Sequence, residues 1–167
     1  WGPTSPTSFN LASQIFDQWT NNLDLSRAFD IGLSHPLQTA FGFEYRWEKY
    51  QIEPGDYASY TPGDYVIPSG PFAGRTPLPG LASYNGTSPA DAGEISRSNV
   101  ASYVDLGLDV TDKWYVGAAA RYERYTQDIG STWSGKLSTR YKITPEFALR
   151  GTVNNGFRAP SLAQTIY

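Results

Sequence analysis

Apolar and polar side chains alternate along residues 37–51, and this pattern constrains the fold more than any other feature of the chain. One set of alternate positions is mainly apolar and the other is polar or small: Leu37, Thr39, Phe41, Phe43, Tyr45 and Trp47 against Gln38, Ala40, Gly42, Glu44, Arg46 and Glu48. Because successive side chains of a β-strand point to opposite faces, the pattern predicts a long strand with one apolar and one polar face.

The same alternation recurs along the chain and predicts six strands in all: residues 19–31, 37–51, 100–110, 114–125, 131–143 and 147–157. Four side chains interrupt the apolar sets, namely Arg27, Lys49, Arg124 and Asn155. The three cations lie near predicted strand ends, where a long side chain can carry its charge into a polar layer. We therefore expect amphipathic strands throughout, with Asn155 as an unexplained exception.

The lengths of the predicted strands and connections point to a membrane sheet. The strands have 11 to 15 residues, against about 5 or 6 in soluble sheets and about 9–11 for a tilted bilayer crossing. Short connections at residues 32–36, 111–113 and 144–145 alternate with longer ones at residues 53–96 and 126–130. Bacterial outer-membrane barrels have short periplasmic turns and longer extracellular loops. We expect an all-β, antiparallel up-and-down meander that is part of a transmembrane β-barrel, with residues 53–96 as an extracellular loop.

Aromatic residues on the apolar sets fall at two levels along the predicted strands. One level lies at the loop end and the other at the turn end: Trp19, Tyr45, Trp47, Tyr122, Trp133 and Phe157, then Phe29, Trp114, Tyr141 and Phe147. Aliphatic side chains such as Leu23, Leu106, Leu137 and Val153 lie between them. An apolar band between two aromatic girdles is typical of the lipid-facing surface of such barrels. Outer-membrane lipid is therefore an expected partner.

Composition excludes several other classes of protein. The chain has no Cys and carries 13 Lys+Arg against 16 Asp+Glu without a basic cluster, so thiolate chemistry and nucleic-acid binding are not expected. No apolar run approaches the roughly 20 residues of a membrane-spanning helix.

Residue 1 is Trp and no leader-like segment follows it. Since about 8 strands are the fewest that close a bacterial barrel, we expect the chain to be an internal piece of a longer protein.

Residues 54–93 contain seven Pro and seven Gly, which predicts an irregular loop. The sequence Pro-Gly-Asp-Tyr occurs at residues 54–57 and again at residues 62–65. Since Pro-Gly pairs suit the central positions of a type II turn, we expect two similar turns here. Five aromatic rings on this loop are candidates for ligand contact: Tyr57, Tyr60, Tyr65, Phe72 and Tyr84. The alternative, which we favour, is that these rings pack the loop against itself.

Charged side chains on the polar sets are expected to line the interior of the barrel: Glu44, Arg46, Glu48, Arg121, Glu123, Lys136, Arg140, Arg150 and Arg158. They can pair with one another, with another segment inside the barrel, or with a passing solute, and we favour the first two. Glu44 and Glu48 lie about 13 Å apart along one strand, beyond the roughly 5–9.5 Å of a glycosidase pair. His35 is the single histidine. We expect no catalytic residue, no metal and no cofactor.

Residues 155–164 read Asn-Gly-Phe-Arg-Ala-Pro-Ser-Leu-Ala-Gln and resemble a signature of TonB-dependent receptor barrels. Its positions here are Gly156, Phe157, Arg158, Ala159, Pro160, Ser161 and Leu162. Residues 40–46 and 117–125 are similar to barrel strands of the same family. From the residues themselves, we expect Pro160 to end strand pairing and Ser161 to cap a short helical turn at residues 162–164. We favour a structural role for the signature over ligand contact.

The resemblance implies a barrel of about 22 strands with a plug inside it, and uptake of a scarce ligand driven by the inner-membrane TonB complex. The family implies a siderophore, cobalamin or an oligosaccharide as the ligand, and the tyrosine-rich, weakly charged loop slightly favours a sugar or another neutral ligand that stacks on aromatic rings. Partners are then the remaining strands, the plug, TonB and the ligand. Two alternatives stay open: a passive porin-type barrel, and a soluble all-β carbohydrate-binding module that uses Tyr57, Tyr65 and Tyr84 as a stacking surface.

Overall fold

The computed structural model describes residues 1–81, 84–127 and 129–165. Six strands form one sheet in the order of the sequence, and they are β1 (Ala12–Phe29), β2 (Leu37–Pro54), β3 (Gly93–Thr111), β4 (Trp114–Tyr125), β5 (Ser131–Lys142) and β6 (Ala148–Asn155). Two 3₁₀ turns, Gly2–Thr4 and Leu162–Gln164, and one short helix, α1 (Tyr57–Tyr60), accompany them. The predicted antiparallel meander of about six strands is therefore confirmed.

The first three strands are longer than their alternation predicted. β1 begins at Ala12, where we expected residue 19, and β3 begins at Gly93, where we expected residue 100. These added residues include Gly and Ser, whose side chains give little alternation to detect. A strand extends as long as its backbone groups find partners in neighbouring strands, and the sequence of a single strand does not show where those partners end.

The last strand ends differently from our expectation. We expected Pro160 to end strand pairing, and this is wrong, since β6 pairs with β5 only as far as Asn155 opposite Gly135. The side chain of Asn155 accepts a hydrogen bond from the Gly135 amide (2.7 Å) and donates one to the Trp133 carbonyl (3.2 Å). The side chain thus takes up the Gly135 amide and the Trp133 carbonyl at the end of the β5–β6 ladder, and backbone pairing stops there. The same bonds explain a polar residue in an apolar set.

Tight turns join three pairs of strands as predicted. Between β1 and β2, Gly32 adopts a φ of 79° and its amide donates to the Asp30 carboxylate at 3.0 Å. Between β3 and β4, the Thr111 hydroxyl accepts hydrogen bonds from the amides of Lys113 (3.3 Å) and Trp114 (3.1 Å). In each case a short side chain replaces the backbone partners that the turn residues lack.

The chain divides into two compact units, which we call the loop unit (residues 1–17, 49–96 and 162–167) and the sheet unit (residues 18–48 and 97–161). The loop unit has a small buried core of Tyr50, Ile52 and Leu162, against which Ile95 and Ala163 pack. Tyr50 and Ile52 continue the set of β2 positions that begins with Glu44 and Glu48. That set therefore changes from polar to apolar at Tyr50, where it supplies the core of the loop unit.

The sheet unit has two chemically different faces. Its apolar face carries the aromatic and aliphatic sets, and side chains on it are open to the surroundings, with Leu137 at 63% and Val153 at 76% exposure. Its polar face carries the charged sets, and the register places Tyr103 opposite Arg121, and Lys136 opposite Asn154. Among the described residues, no helix is long and apolar enough to span a membrane.

Candidate functional site

Aromatic side chains on the apolar face of the sheet unit pair between neighbouring strands. The rings of Trp19 and Tyr45 meet edge to face with centroids 6.0 Å apart, and those of Tyr122 and Trp133 lie 4.9 Å apart. At the opposite end of β4, the Trp114 indole donates a hydrogen bond to the Thr139 hydroxyl at 3.0 Å. Amphipathic rings at two levels with aliphatic side chains between them suit a sheet whose ends meet two polar layers.

Four of the charges predicted for the polar face form one connected network. The Glu44 carboxylate lies 2.9 Å from the guanidinium of Arg46 and 3.5 Å from that of Arg121. Arg121 also pairs with Glu123 at 2.8 Å. Two of these residues lie on β2 and two on β4, so the network crosses β3. These four side chains thus pair with one another, as one of the favoured alternatives predicted.

Arg97 is a central residue of the polar face that the sequence analysis did not identify. It is 8% exposed, its Nε donates to the Glu48 carboxylate at 2.8 Å, and its Nη1 donates to the Pro160 carbonyl at 2.6 Å. Its guanidinium also lies 5.6 Å from the ring centre of Tyr125. Arg97 falls between the predicted loop and the predicted third strand. Polar residues fall on both alternate sets of residues 93–99, so the pattern gave no signal that β3 includes Arg97.

The signature segment bends back toward the polar face. The Phe157 ring meets that of Tyr125 edge to face at 6.5 Å, on the face that also carries Glu123 and Arg97. We expected Phe157 among the outward aromatics, and this is wrong, because strand parity applies only as far as Asn155. The predicted helical turn at residues 162–164 is confirmed as a 3₁₀ turn, Leu162–Gln164. Capping of this turn by Ser161 stays a prediction.

Cations dominate the part of the polar face formed by β5 and β6. Arg140 lies 3.9 Å from the Asp109 carboxylate and 5.8 Å from the ring centre of Tyr115. Within residues 1–81, 84–127 and 129–165, no carboxylate pairs with Lys136, Arg150 or Arg158. The nine predicted charges therefore divide into a group of both signs on β2 and β4 and a group of cations alone on β5, on β6 and just after β6: Glu44, Arg46, Glu48, Arg121 and Glu123 against Lys136, Arg140, Arg150 and Arg158.

Three of the five candidate aromatic rings on the loop contact other parts of the loop unit. The Tyr57 ring meets the rings of Trp1 at 6.1 Å and Tyr60 at 5.7 Å. The Trp1 indole donates to the Thr61 carbonyl at 2.9 Å, and Gly2 lies against the Tyr65 ring. Packing of the loop against its own unit, the alternative that we favoured, accounts for these three rings.

The other two candidates, Phe72 and Tyr84, are mostly exposed. The guanidinium of Arg75 lies 5.8 Å from the ring centre of Phe72. In the described part of the chain neither ring contacts a second aromatic ring. Tyr57 is similarly exposed, but its ring is held by those of Trp1 and Tyr60, whereas Phe72 and Tyr84 present their rings without an aromatic neighbour.

The two Pro-Gly-Asp-Tyr segments do not form matching type II turns, so that expectation is wrong. A type II turn needs a positive φ at its glycine, whereas neither Gly55 nor Gly63 has one. Asp56 precedes α1, and no helix follows Asp64. Both glycines instead allow another part of the backbone to approach closely. A Cβ on Gly55 would collide with the Leu11 carbonyl, and one on Gly63 would lie 2.6 Å from the Trp1 nitrogen.

No group of three or more potential ligands among the described His, Asp and Glu residues could hold a metal ion. His35 pairs instead with Asp112 at 2.8 Å.

A long-stranded antiparallel sheet with an exposed apolar face, paired aromatics at two levels and a charged opposite face defines the wall of an outer-membrane β-barrel. A family model described as TonB dependent receptor-like, beta-barrel matches residues 1–167. The chain belongs to this family of outer-membrane receptors, which are transporters and not enzymes.

Similar proteins are consistent with this membership. The chain is 28% identical over 71 residues to the vitamin B12 transporter BtuB of Vibrio cholerae, a match that covers 42% of this chain and 11% of the relative. It is 28% identical over 74 residues to the probable TonB-dependent siderophore receptor PirA of Acinetobacter baumannii, covering 44% and 10%. The chain thus matches about a tenth of the length of these curated relatives.

A solved structure shares the fold. The crystal structure of the siderophore receptor PirA from Acinetobacter baumannii superposes with a TM-score of 0.60 at 20% identity, over 88% of this chain and 18% of that one. The predicted family, fold and outer-membrane location are therefore confirmed. The soluble carbohydrate-binding module is excluded, because the family is one of outer-membrane barrels.

Proposed function

We propose that these strands belong to a receptor that actively takes up a scarce ligand across the outer membrane, with energy relayed by TonB. The apolar face contacts outer-membrane lipid, the polar face lines the barrel interior, and residues 53–96 form an extracellular loop. The observation that carries this proposal is the two-faced sheet of a TonB-dependent receptor family member. Further strands close the barrel, and a plug segment occupies its interior.

Two relatives support the first two of three ligand classes, since one is named a vitamin B12 transporter and another a probable siderophore receptor. We propose a siderophore, cobalamin or an oligosaccharide. The test is uptake of each labelled ligand at nanomolar concentration by cells that carry the complete receptor, with and without TonB. TonB-dependent uptake of one ligand is expected. Passage of unrelated solutes of similar size into proteoliposomes without TonB would instead establish a passive porin.

Within the loop, we propose that Phe72 and Tyr84 contact the ligand while Tyr57, Tyr60 and Tyr65 shape the loop. The division rests on contacts within the loop unit: Tyr57, Tyr60 and Tyr65 pack against other residues of it, whereas Phe72 and Tyr84 are exposed and have no aromatic neighbour among the described residues. A stacked aromatic contact contributes about 0.5–1.5 kcal/mol, so Phe72→Ala should weaken binding roughly two- to tenfold. Leu78→Ala, another mostly exposed loop position, is the control. If both variants bind the ligand with the affinity of the native receptor, Phe72 does not contact the ligand.

A further inference from the structure

Two arginines lie directly opposite each other on the polar face of the sheet unit. Arg140 on β5 and Arg150 on β6 are register partners. Like charges directly opposite each other destabilise a strand pair. The two strands themselves contain no carboxylate that could offset this repulsion, because their charged residues are Lys136, Arg140, Lys142 and Arg150. A negative charge from elsewhere would offset this repulsion.

Asp109 on β3 supplies part of that charge. Its carboxylate lies 3.9 Å from Arg140 Nη2 and is half-exposed, which is a loose contact for a guanidinium. The Nε of Arg140 is buried and has no hydrogen-bond acceptor within the described ranges. One carboxylate against two guanidinium groups leaves the site with a net single positive charge.

The two arginines border an open cleft of about 340 Å³ whose lining includes Asp109, Tyr115, Ser138, Arg140, Arg150 and Thr152. Three of these side chains are hydroxyls, which can donate to an anion. The guanidinium of Arg140 lies 5.8 Å from the ring centre of Tyr115, an attraction that limits its movement. Since a water molecule occupies about 30 Å³ in the liquid, the cleft has room for a carboxylate or phosphate group.

We propose that this cleft is an anion-binding site in which Arg140 and Arg150 together hold one carboxylate or phosphate group. Planar guanidinium groups bind both anions through paired N–H donors. The anion can be a carboxylate of another segment of the same receptor or a free solute anion. The site stands whichever ligand the receptor transports, because it depends only on the register and charges of β3 to β6.

The test is thermal unfolding of the complete purified receptor in a non-ionic detergent, first in low-salt buffer without phosphate and then with inorganic phosphate added. The variants are Arg150→Gln and Arg150→Lys. Lys136→Gln is the matched control, since Lys136 is a cation on the same face opposite the neutral Asn154. Arg150→Lys keeps the charge and loses the paired donors, so it tests the site in a protein that differs little from the native one.

A carboxylate within the receptor predicts that Arg150→Gln lowers the melting temperature by a few degrees without added phosphate, that Arg150→Lys lowers it less, and that Lys136→Gln leaves it unchanged. A free anion predicts that phosphate raises the melting temperature of the native receptor and that Arg150→Gln abolishes the rise. If Arg150→Gln raises the melting temperature or leaves it unchanged, and phosphate has no effect on the native receptor, the two arginines repel each other without an anion and the proposal is overturned.

Discussion

The phenol ring of Tyr103 on β3 lies directly over Gly42 on β2. A Cβ on Gly42 would overlap the ring and would also lie 2.6 Å from a carboxylate oxygen of Asp24 on β1. The Tyr103 hydroxyl donates a 2.6 Å hydrogen bond to that same oxygen. One side chain therefore joins three strands, and it can do so only because the middle strand has no side chain at this position.

Gly42→Ala should destabilise the receptor because the added methyl group displaces the Tyr103 ring. Overpacking of this kind costs about 1–3 kcal/mol. Gly151→Ala is the control, since a Cβ there would be 3.6 Å from Thr139, an ordinary contact. The measurement is urea-induced unfolding of the complete receptor in lipid vesicles. Equal stability of the two alanine variants would show that the Tyr103 ring moves aside without lowering the free energy of unfolding.

Arg97→Gln should destabilise the polar face by leaving Glu48 as a buried carboxylate without its ion pair. Removing one member of a buried pair costs about 3–5 kcal/mol. The same change releases the Pro160 carbonyl, so proteolysis within residues 156–161 should become faster. Arg158→Gln, at an exposed arginine of the same signature segment, is the control. A double change that includes Glu48→Gln should cost less than Arg97→Gln alone if the unpaired charge is the cause.

Leu106 and Asp105 are neighbours on β3 and lie on opposite faces of the sheet, opposite Ala118 and Ala119 of β4. Arginine on the lipid face of a barrel costs about 2–4 kcal/mol near the bilayer midplane, whereas arginine on a wet inner face does not meet lipid. Leu106→Arg should therefore reduce the amount of folded receptor in the outer membrane much more than Asp105→Arg. Heat-dependent gel mobility measures the folded fraction. The reverse order would mean that the faces are assigned the wrong way round.

Leu162→Ala should loosen the loop unit, because Leu162 is 2% exposed and packs with Tyr50 and Ile52. Replacing a buried leucine with alanine costs about 2–5 kcal/mol. The expected result is faster protease cleavage within residues 55–92. Leu78→Ala is the matched control, since Leu78 is exposed. Cleavage at the native rate in both variants would contradict a structural role for the signature leucine.

The alternation of side chains determined much of this fold in advance. Residues 37–51 and 131–143 were predicted as strands on their pattern alone, and β2 and β5 occupy them almost fully. The short turns followed from the same pattern. Alternation predicts strands well because every second side chain lies on the same face, so a strand with one apolar and one polar face must alternate along its length.

The positions of the charged contacts could not be derived in this way. Glu44 and Arg121 are far apart in sequence, and their contact across β3 depends on the register of three strands. Arg97 was missed for the same reason, since its partners are Glu48 on β2 and the Pro160 carbonyl beyond β6. A period-two pattern assigns a side chain to a face and says nothing about how far each strand is shifted along its neighbour.

What the sequence determined by itself was therefore the class of element, its two faces and the family to which the signature belongs. Only the tertiary structure decided that Gly42 accommodates Tyr103, that Asn155 ends the pairing of β6, and that Arg140 meets Arg150 across two strands. The physical reason is the range of the interactions. Alternation is a property of neighbouring residues in one strand, whereas register, close approach and ion pairing depend on backbone hydrogen bonds between strands.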